Sequence, residues 1–307
     1  MIMDIDTRHW RALRAVIEHG SFNRAAEALG VTQPAISKSI ALIERVAKAQ
    51  VLERGHRGAV PTPAGVILGR TAMAMTNLAR QARDELSSLG EEALGPLIVG
   101  ATPSAMPGLM PAVFGHLCTR GGPLRIGLRE GLDSELQPAL EKGEIGLLVG
   151  PVTDIGGTDG GRPSPNIVEG VLLTERMYVG MARGNPLAQA PTLRIQDLLD
   201  QPWVLPTGGS RFHQLIEALF LSRGLPWPAD VIRTNSLYLQ KHIALASNRL
   251  FLLTDVELIG HEPQFAWVPL ADSPVRKFGW KRLKAIVPSP MAKAFIDVMT
   301  DLIAAHR

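Results

Sequence analysis

A chain of 307 residues is long enough for two or three domains of ordinary size. Its 32 basic and 29 acidic residues balance to +3, and 46% of its residues are hydrophobic, a globular composition without a like-charged disordered tail. One cysteine, Cys118, excludes an internal disulfide framework and cysteine-rich metal sites, and no apolar run reaches the length of a membrane span. The opening MIMDIDTRHW lacks the basic start and apolar core of a signal peptide, so the expected location is cytoplasmic, with no membrane partner.

Within residues 1–65, nine Lys/Arg stand against six Asp/Glu, so the whole excess of positive charge lies in the first fifth of the chain. That asymmetry suits a polyanion-binding module on a neutral body. Trp10, Leu13, Val16 and Ile17 share one face of a first helix, capped by Asp6 or Thr7 and ended by Gly20. Ser21 caps a short second helix that ends at Gly30, a natural left-handed C-cap. Thr32 or Gln33 caps a third, with Pro34 in its first turn and Ile36, Ile40 and Ile43 facing inward. The small alanines of AAEALG let two short helices cross closely, as a helix-turn-helix requires.

In such a unit the third helix presents Gln33, Ser37 and Lys38 to the major groove, with Pro34 and Ala35 for apolar contact. The following VLERGHRGAVPTPAG suits a two-stranded wing bearing Arg54, His56 and Arg57. The residues alone also allow a three-helix packing unit without nucleic acid. From Pro63 to Leu89, Leu68, Ala72, Met75, Ala79, Ala82, Leu86 and Leu89 recur at alternating spacings of four and three, a heptad seam for a partner helix. A helix of that length spans roughly 38 Å and overhangs a small module, which weighs against its lying only on its own domain.

After residue 95, short apolar runs at 97–101, 124–130, 145–151, 168–182, 202–206, 230–234, 249–254 and 265–270 alternate with amphipathic stretches at 104–119, 133–142, 210–223, 236–247 and 290–305. This is the pattern of an α/β body with largely parallel sheets. The run 168–182 is long for one strand and suits a crossing between two subdomains. The glycine- and proline-rich 153–166 reads as a loop. Two strand ends, ATPSAM with Thr102 and Ser104 and PTGGSRF with Thr207, Gly208, Gly209 and Ser210 and with Arg211 close by, offer hydroxyls and N–H groups to a small anion such as a carboxylate. For either segment alone, ordinary helix capping is the favoured reading.

No G-x-S-x-G, H-E-x-x-H or C-x-x-C occurs, GGTDGG has the wrong spacing for a dinucleotide site, and no histidine pair has metal-ligand spacing. Cys118, beside Val113, Phe114 and Leu117, is expected to be a buried packing residue. Ser210 and His213 lack a third group for a catalytic arrangement. No enzyme, metal or cofactor is expected. A solute-binding protein is the other rival, and it would carry a secretion signal.

The stretch LRAVIEHGSFNRAAEALGVTQPAISKSIALIERV, followed by LERGHRG and TPAG, resembles the N-terminus of LysR-type transcriptional regulators. The likeness is specific over 10–65 and diffuse beyond. Ala47-Lys48 stands where Leu-Gly is usual, Leu52 where Phe is usual, Gly146 where Asp is usual, and Ser247 and Arg249 where two glycines are common. The resemblance implies a winged helix-turn-helix over 1–65, a dimerising linker helix over 66–93, and a two-subdomain α/β effector domain, like a periplasmic binding protein, over 94–307. Its first subdomain would be 94–167 with 268–307, its second 168–267. It implies DNA contacts at Gln33, Pro34, Ser37, Lys38, Arg54 and Arg57, to which the helix reading adds Ala35. It also implies an effector pocket of Ser104, Gly131, Leu132, Pro206, Thr207 and Gly208, to which the strand-end reading adds Thr102. Double-stranded promoter DNA, a small effector and a second copy, in a homodimer or homotetramer, are the implied partners.

Overall fold

The computed structural model describes residues 5–55, 58–87, 96–153, 164–259, 264–271 and 273–306. The chain divides into two compact units, one through residue 89 together with Glu141–Glu144, the other comprising the remainder.

In the first unit, α1 (Thr7–His19), α2 (Phe22–Leu29) and α3 (Gln33–Ala47) pack around Trp10, Leu13, Val16, Ala25, Ala26, Ile36, Ile40 and Ile43, all buried. The ends follow the sequence signals. Asp6 accepts from the Arg8 N–H at 2.9 Å, Ser21 from the Arg24 N–H at 3.5 Å, and Gly20 and Gly30 adopt left-handed conformations. α3 is closed by Lys48 at φ 53°, the place where the resemblance expects glycine. The wing pairs β1 (Leu52–Gly55) with β2 (Gly58–Pro61). Glu44 braces it to α3, its Oε1 accepting from the N–H groups of Val51 at 3.0 Å and Leu52 at 3.4 Å. Gly58 is required there: its φ is 105°, and a Cβ would stand 2.3 Å from the Gly20 carbonyl oxygen. α4 (Pro63–Ser87) follows, its first turn capped by Thr62, which accepts from the Gly65 N–H at 3.0 Å.

The second unit holds two five-stranded sheets. The first contains β3 (Leu97–Ala101), β4 (Ile126–Glu130), β5 (Leu147–Pro151), β6 (Ile167–Glu175) and β12 (Arg276–Leu283), in the order β4-β3-β5-β12-β6. The second contains β7 (Met177–Ala182), β8 (Trp203–Leu205), β9 (Val231–Arg233), β10 (Leu250–Thr254) and β11 (Phe265–Pro269), in the order β11-β7-β10-β8-β9. Each is mixed rather than largely parallel: β3 pairs parallel with β4 and β5, and β8 with β9 and β10, while β12, β7 and β11 run antiparallel. α5 (Leu109–Thr119) and α9 (Pro290–His306) contribute to the core of the first sheet, and α7 (Arg211–Leu221) to that of the second. α6 (Asp133–Glu141) follows β4, and α8 (Leu237–Ser247) precedes β10.

Three further expectations change. The run 168–182 does cross between sheets, but at Arg176, between β6 and β7, so residues 168–175 belong with the first sheet rather than the second subdomain. The return crossing falls between Pro269 and Arg276, later than 267/268. Cys118 is exposed, not buried, because Val113 and Leu117 turn inward and the next residue points about 100° away. Most of the loop 153–166 lies outside the described residues.

Candidate functional site

The polar face of α3 is built from its N-terminal turns. Ile36, Ile40 and Ile43 anchor the helix in the core, which leaves Gln33 and Ser37 half-buried and Pro34, Ala35 and Lys38 exposed. Gln33 Nε2 donates to Ser37 Oγ at 2.9 Å, one turn along. An amide held this way keeps one N–H and its carbonyl oxygen, the pair that a bidentate contact to adenine uses. Arg54 lies on β1 opposite Ala59 in the wing register. Arg57 and His56 lie outside the described residues.

The heptad seam of α4 divides in two. Leu68 and Ala72 pack into the first unit's own core, and Gly69 lies so close to Ile17 that an added Cβ would stand 2.6 Å from its Cδ1. Further along, Met75, Ala79, Ala82 and Leu86 are exposed, Leu86 at 65%. Leu89 lies outside the described residues.

In the second unit, a cleft of ≈ 590 Å³, its open mouth included, is lined by residues from both sheets. Of the seven candidate pocket residues, Thr102, Ser104, Leu132 and Pro206 line it. Gly131, Thr207 and Gly208 are not among its walls: Gly131 faces Glu135 and Leu136 of α6, the Thr207 N–H donates to Asn235 Oδ1 at 3.1 Å, and Gly208 is exposed. Thr102 Oγ1 lies 3.4 Å from Ser104 Oγ, bringing two hydroxyls together at the turn after β3. Ser210 lines the cleft as a helix cap, accepting from the His213 N–H at 3.0 Å. The His213 ring stacks on Trp227, with ring centres 5.8 Å apart.

Apart from Arg211, which the PTGGSRF segment already offered and which lines the cleft, the cleft's charged side chains escaped the sequence reading. Asp133, at the start of α6, is flanked by Lys281 Nζ at 3.0 Å and Arg211 Nε at 3.1 Å. Arg276 Nε pairs with Glu175 Oε2 at 2.6 Å, with both side chains buried. The Arg276 guanidinium also lies over Phe212, 5.2 Å from its ring centre. Glu257 is 3% exposed, and its Oε1 accepts from the Thr254 N–H at 3.2 Å. Burial pushes its carboxyl up to about 8, with Glu175 adding to the rise and Lys241, Arg276 and the Thr254 N–H opposing it. At the nearby crossing, Asp255 accepts from the Arg176 N–H at 2.5 Å and the Tyr178 hydroxyl at 2.9 Å, and burial and that bond push Tyr178 up to about 12. Among the described residues no three His, Cys, Asp or Glu side chains cluster to hold a metal, and no helix is long and apolar enough to cross a membrane.

The model of the bacterial regulatory helix-turn-helix protein, lysR family, matches residues 7–66, and that of the LysR substrate binding domain matches residues 90–304. The chain belongs to the LysR family of DNA-binding transcriptional regulators. It is similar to the transcriptional regulator PcaQ of Agrobacterium fabrum, 31% identical across 72% of this chain and 70% of that protein. It is also similar to the regulator GbpR of Rhizobium radiobacter, 29% identical across 79% of each. Among solved structures, a full-length OxyR variant from Pseudomonas aeruginosa aligns with a TM-score of 0.65 at 21% identity, covering 97% of this chain and 94% of that one. Full-length CbnR in complex with its target DNA aligns at 0.60 and 19% identity, covering 97% and 99%. These likenesses carry the fold: an N-terminal helix-turn-helix and an α/β substrate-binding domain.

Proposed function

We propose that this LysR-family regulator reads promoter DNA with the first turns of α3 and answers a small effector held in the cleft of its α/β body. Gln33, Ser37 and Lys38 contact base edges and phosphates, Pro34 and Ala35 make apolar contacts, and Arg54 and Arg57 of the wing meet the DNA backbone. Two copies pair through the exposed part of the α4 seam and so present two recognition helices to the two halves of an operator; a tetramer is a further pairing of such dimers. Thr102, Ser104, Leu132 and Pro206 line the effector cleft, and Gly131, Thr207 and Gly208 support its walls. Closure around the effector shifts the balance between two arrangements of the bound dimers. The protein works in the cytoplasm and does not act as an enzyme.

The observation that carries this reading is the half-buried Gln33–Ser37 pair on the polar face of a helix whose opposite face is locked into the core. The test is binding of the full chain to DNA upstream of its own gene, against scrambled DNA of equal length, over increasing salt. Specific binding with a steep salt slope supports the reading. Normal operator binding by Gln33→Ala refutes the assignment of α3.

A further inference from the structure

Two buried side-chain atoms without a hydrogen-bonding partner among the described residues belong to the walls of one cleft: Arg211 Nη1 and Glu257 Oε2. A buried polar atom left unpaired is costly, so two in one cavity point to a partner that binds there. Each atom restricts what that partner is.

Arg211 Nη1 only donates. Its Nε is taken by Asp133, and the other Asp133 oxygen is taken by Lys281, so Asp133 is occupied on both sides. An anionic acceptor from outside completes the guanidinium, and a carboxylate fits its planar geometry. The Thr102 and Ser104 hydroxyls, in the same walls, add neutral donors.

Glu257 sets the second condition. Its Oε1 is held by the Thr254 N–H, leaving Oε2 for the ligand. The charged groups around it are Lys241 on α8, Glu175 on β6 and Arg276 on β12, and Glu175 is already engaged by Arg276. A ligand ammonium at this point would find no carboxylate to neutralise it, because Glu175 is engaged by Arg276. Burial keeps the Glu257 carboxyl protonated at neutral pH, so Oε2 donates, and what it meets is an oxygen.

We propose that the cleft selects a small carboxylate bearing a second oxygen, an oxo or hydroxyl group, with its carboxylate on Arg211 and its second oxygen on Glu257. This rests on the cleft being the effector site, as proposed above. Glu257 and Arg211 are then the residues that determine specificity, and amino acids of the same size are rejected.

Calorimetric titration of the full chain tests it, with short-chain carboxylates from propionate to octanoate in matched sets carrying an oxo, hydroxyl, amino or no second group. An oxo or hydroxyl member should bind at least about tenfold more tightly than its unsubstituted counterpart. Glu257→Gln, whose amide N–H donates from the same place, should keep that preference within about threefold. Glu257→Met should bring the preference to about one, and Arg211→Met should weaken every member at least about tenfold. Tightest binding by an amino member, equal binding by unsubstituted members, or no binding by any member overturns the ligand class. If the amino member's binding still depends on Arg211, the cleft reading stands and only the class falls. Binding that survives Arg211→Met, Glu257→Met and the cleft-filling Leu132→Trp lies elsewhere and overturns both.

Discussion

Replacing Arg276 by methionine should cost the second unit about 3–5 kcal/mol, far more than the methylenes lost. Arg276 and Glu175 are 4% and 1% exposed and meet at 2.6 Å, and the pair ties the end of β6 to the start of β12, on either side of the two crossings. The attraction of such a pair is largely offset by the cost of taking both charges out of water. Removing one partner forfeits the attraction and keeps the other's burial cost. Glu175 would retain the Val256 N–H at 3.1 Å, which does not neutralise a buried carboxylate. Replacing both, as Glu175→Leu with Arg276→Met, should return stability to within about 1 kcal/mol of the parent. Thermal unfolding followed by tryptophan fluorescence reads this, because Trp203, Trp227, Trp267 and Trp280 all lie in that unit. The single variant should melt about 10 °C lower and the double close to the parent. A single variant within about 1 kcal/mol of the parent, or a double variant whose loss is the sum of the singles, refutes this account of the crossing.

Lys48 holds a left-handed conformation that costs a non-glycine residue, so Lys48→Gly should stabilise the first unit by about 0.5–1 kcal/mol, read by denaturant melts monitored by circular dichroism. Lys38→Ala should weaken binding to specific and scrambled DNA alike and lower the log–log salt slope by about one per bound protomer; an unchanged slope removes Lys38 from the phosphate contacts. Met75→Glu with Leu86→Glu, both on the exposed part of α4, should shift the protein to monomer in analytical ultracentrifugation, while Leu68→Ala should instead lower the first unit's stability. Glu257 holds its proton up to about pH 8 when folded and loses it near 4.5 when unfolded, so its contribution is full below 4.5 and is lost as pH rises to about 8. Glu257→Gln should flatten that fall, by on the order of a few kcal/mol between the two limits in urea melts; parallel profiles would mean the acid is ionised in the fold.

The first unit was legible because its determinants are local. Asp6, Ser21, Gly20 and Gly30 act within a few residues of their own position, and the isoleucines of α3 mark the buried face at helical spacing. The α4 seam was legible as a pattern but not in how it is shared. Nothing in a heptad says that Leu68 and Ala72 serve their own unit while Met75 onward stays open, since that depends on where α1 lies. In the body, eight apolar runs located β3 to β11, and the length of 168–182 revealed the crossing. β12 was missed altogether. Its sequence, RKFGWKRL, carries four cations in eight residues and has the look of a solvated segment, yet it pairs with β5 on one side and β6 on the other.

The missed strand and the missed part of the site have one cause. Arg276 and Lys281 are buried in β12 because Glu175 and Asp133 neutralise them, from positions 101 and 148 residues away in sequence. A reading by local polarity assigns such residues to the surface, and only the partner far along the chain reverses that. The hydroxyls at strand ends, by contrast, were visible as caps or anion donors, and Ser210 turned out to be a cap inside the cleft wall. The part of the pocket that local rules can find is therefore the generic part, set by turns after strands. The part that distinguishes this chain's ligand, Arg211 beside Asp133 and Glu257 beside Arg276, rests on charges brought together only when both sheets are in place. Variants at those four positions should alter which ligand is bound, whereas Gln33, Ser37 and Lys38 bear on which DNA is read.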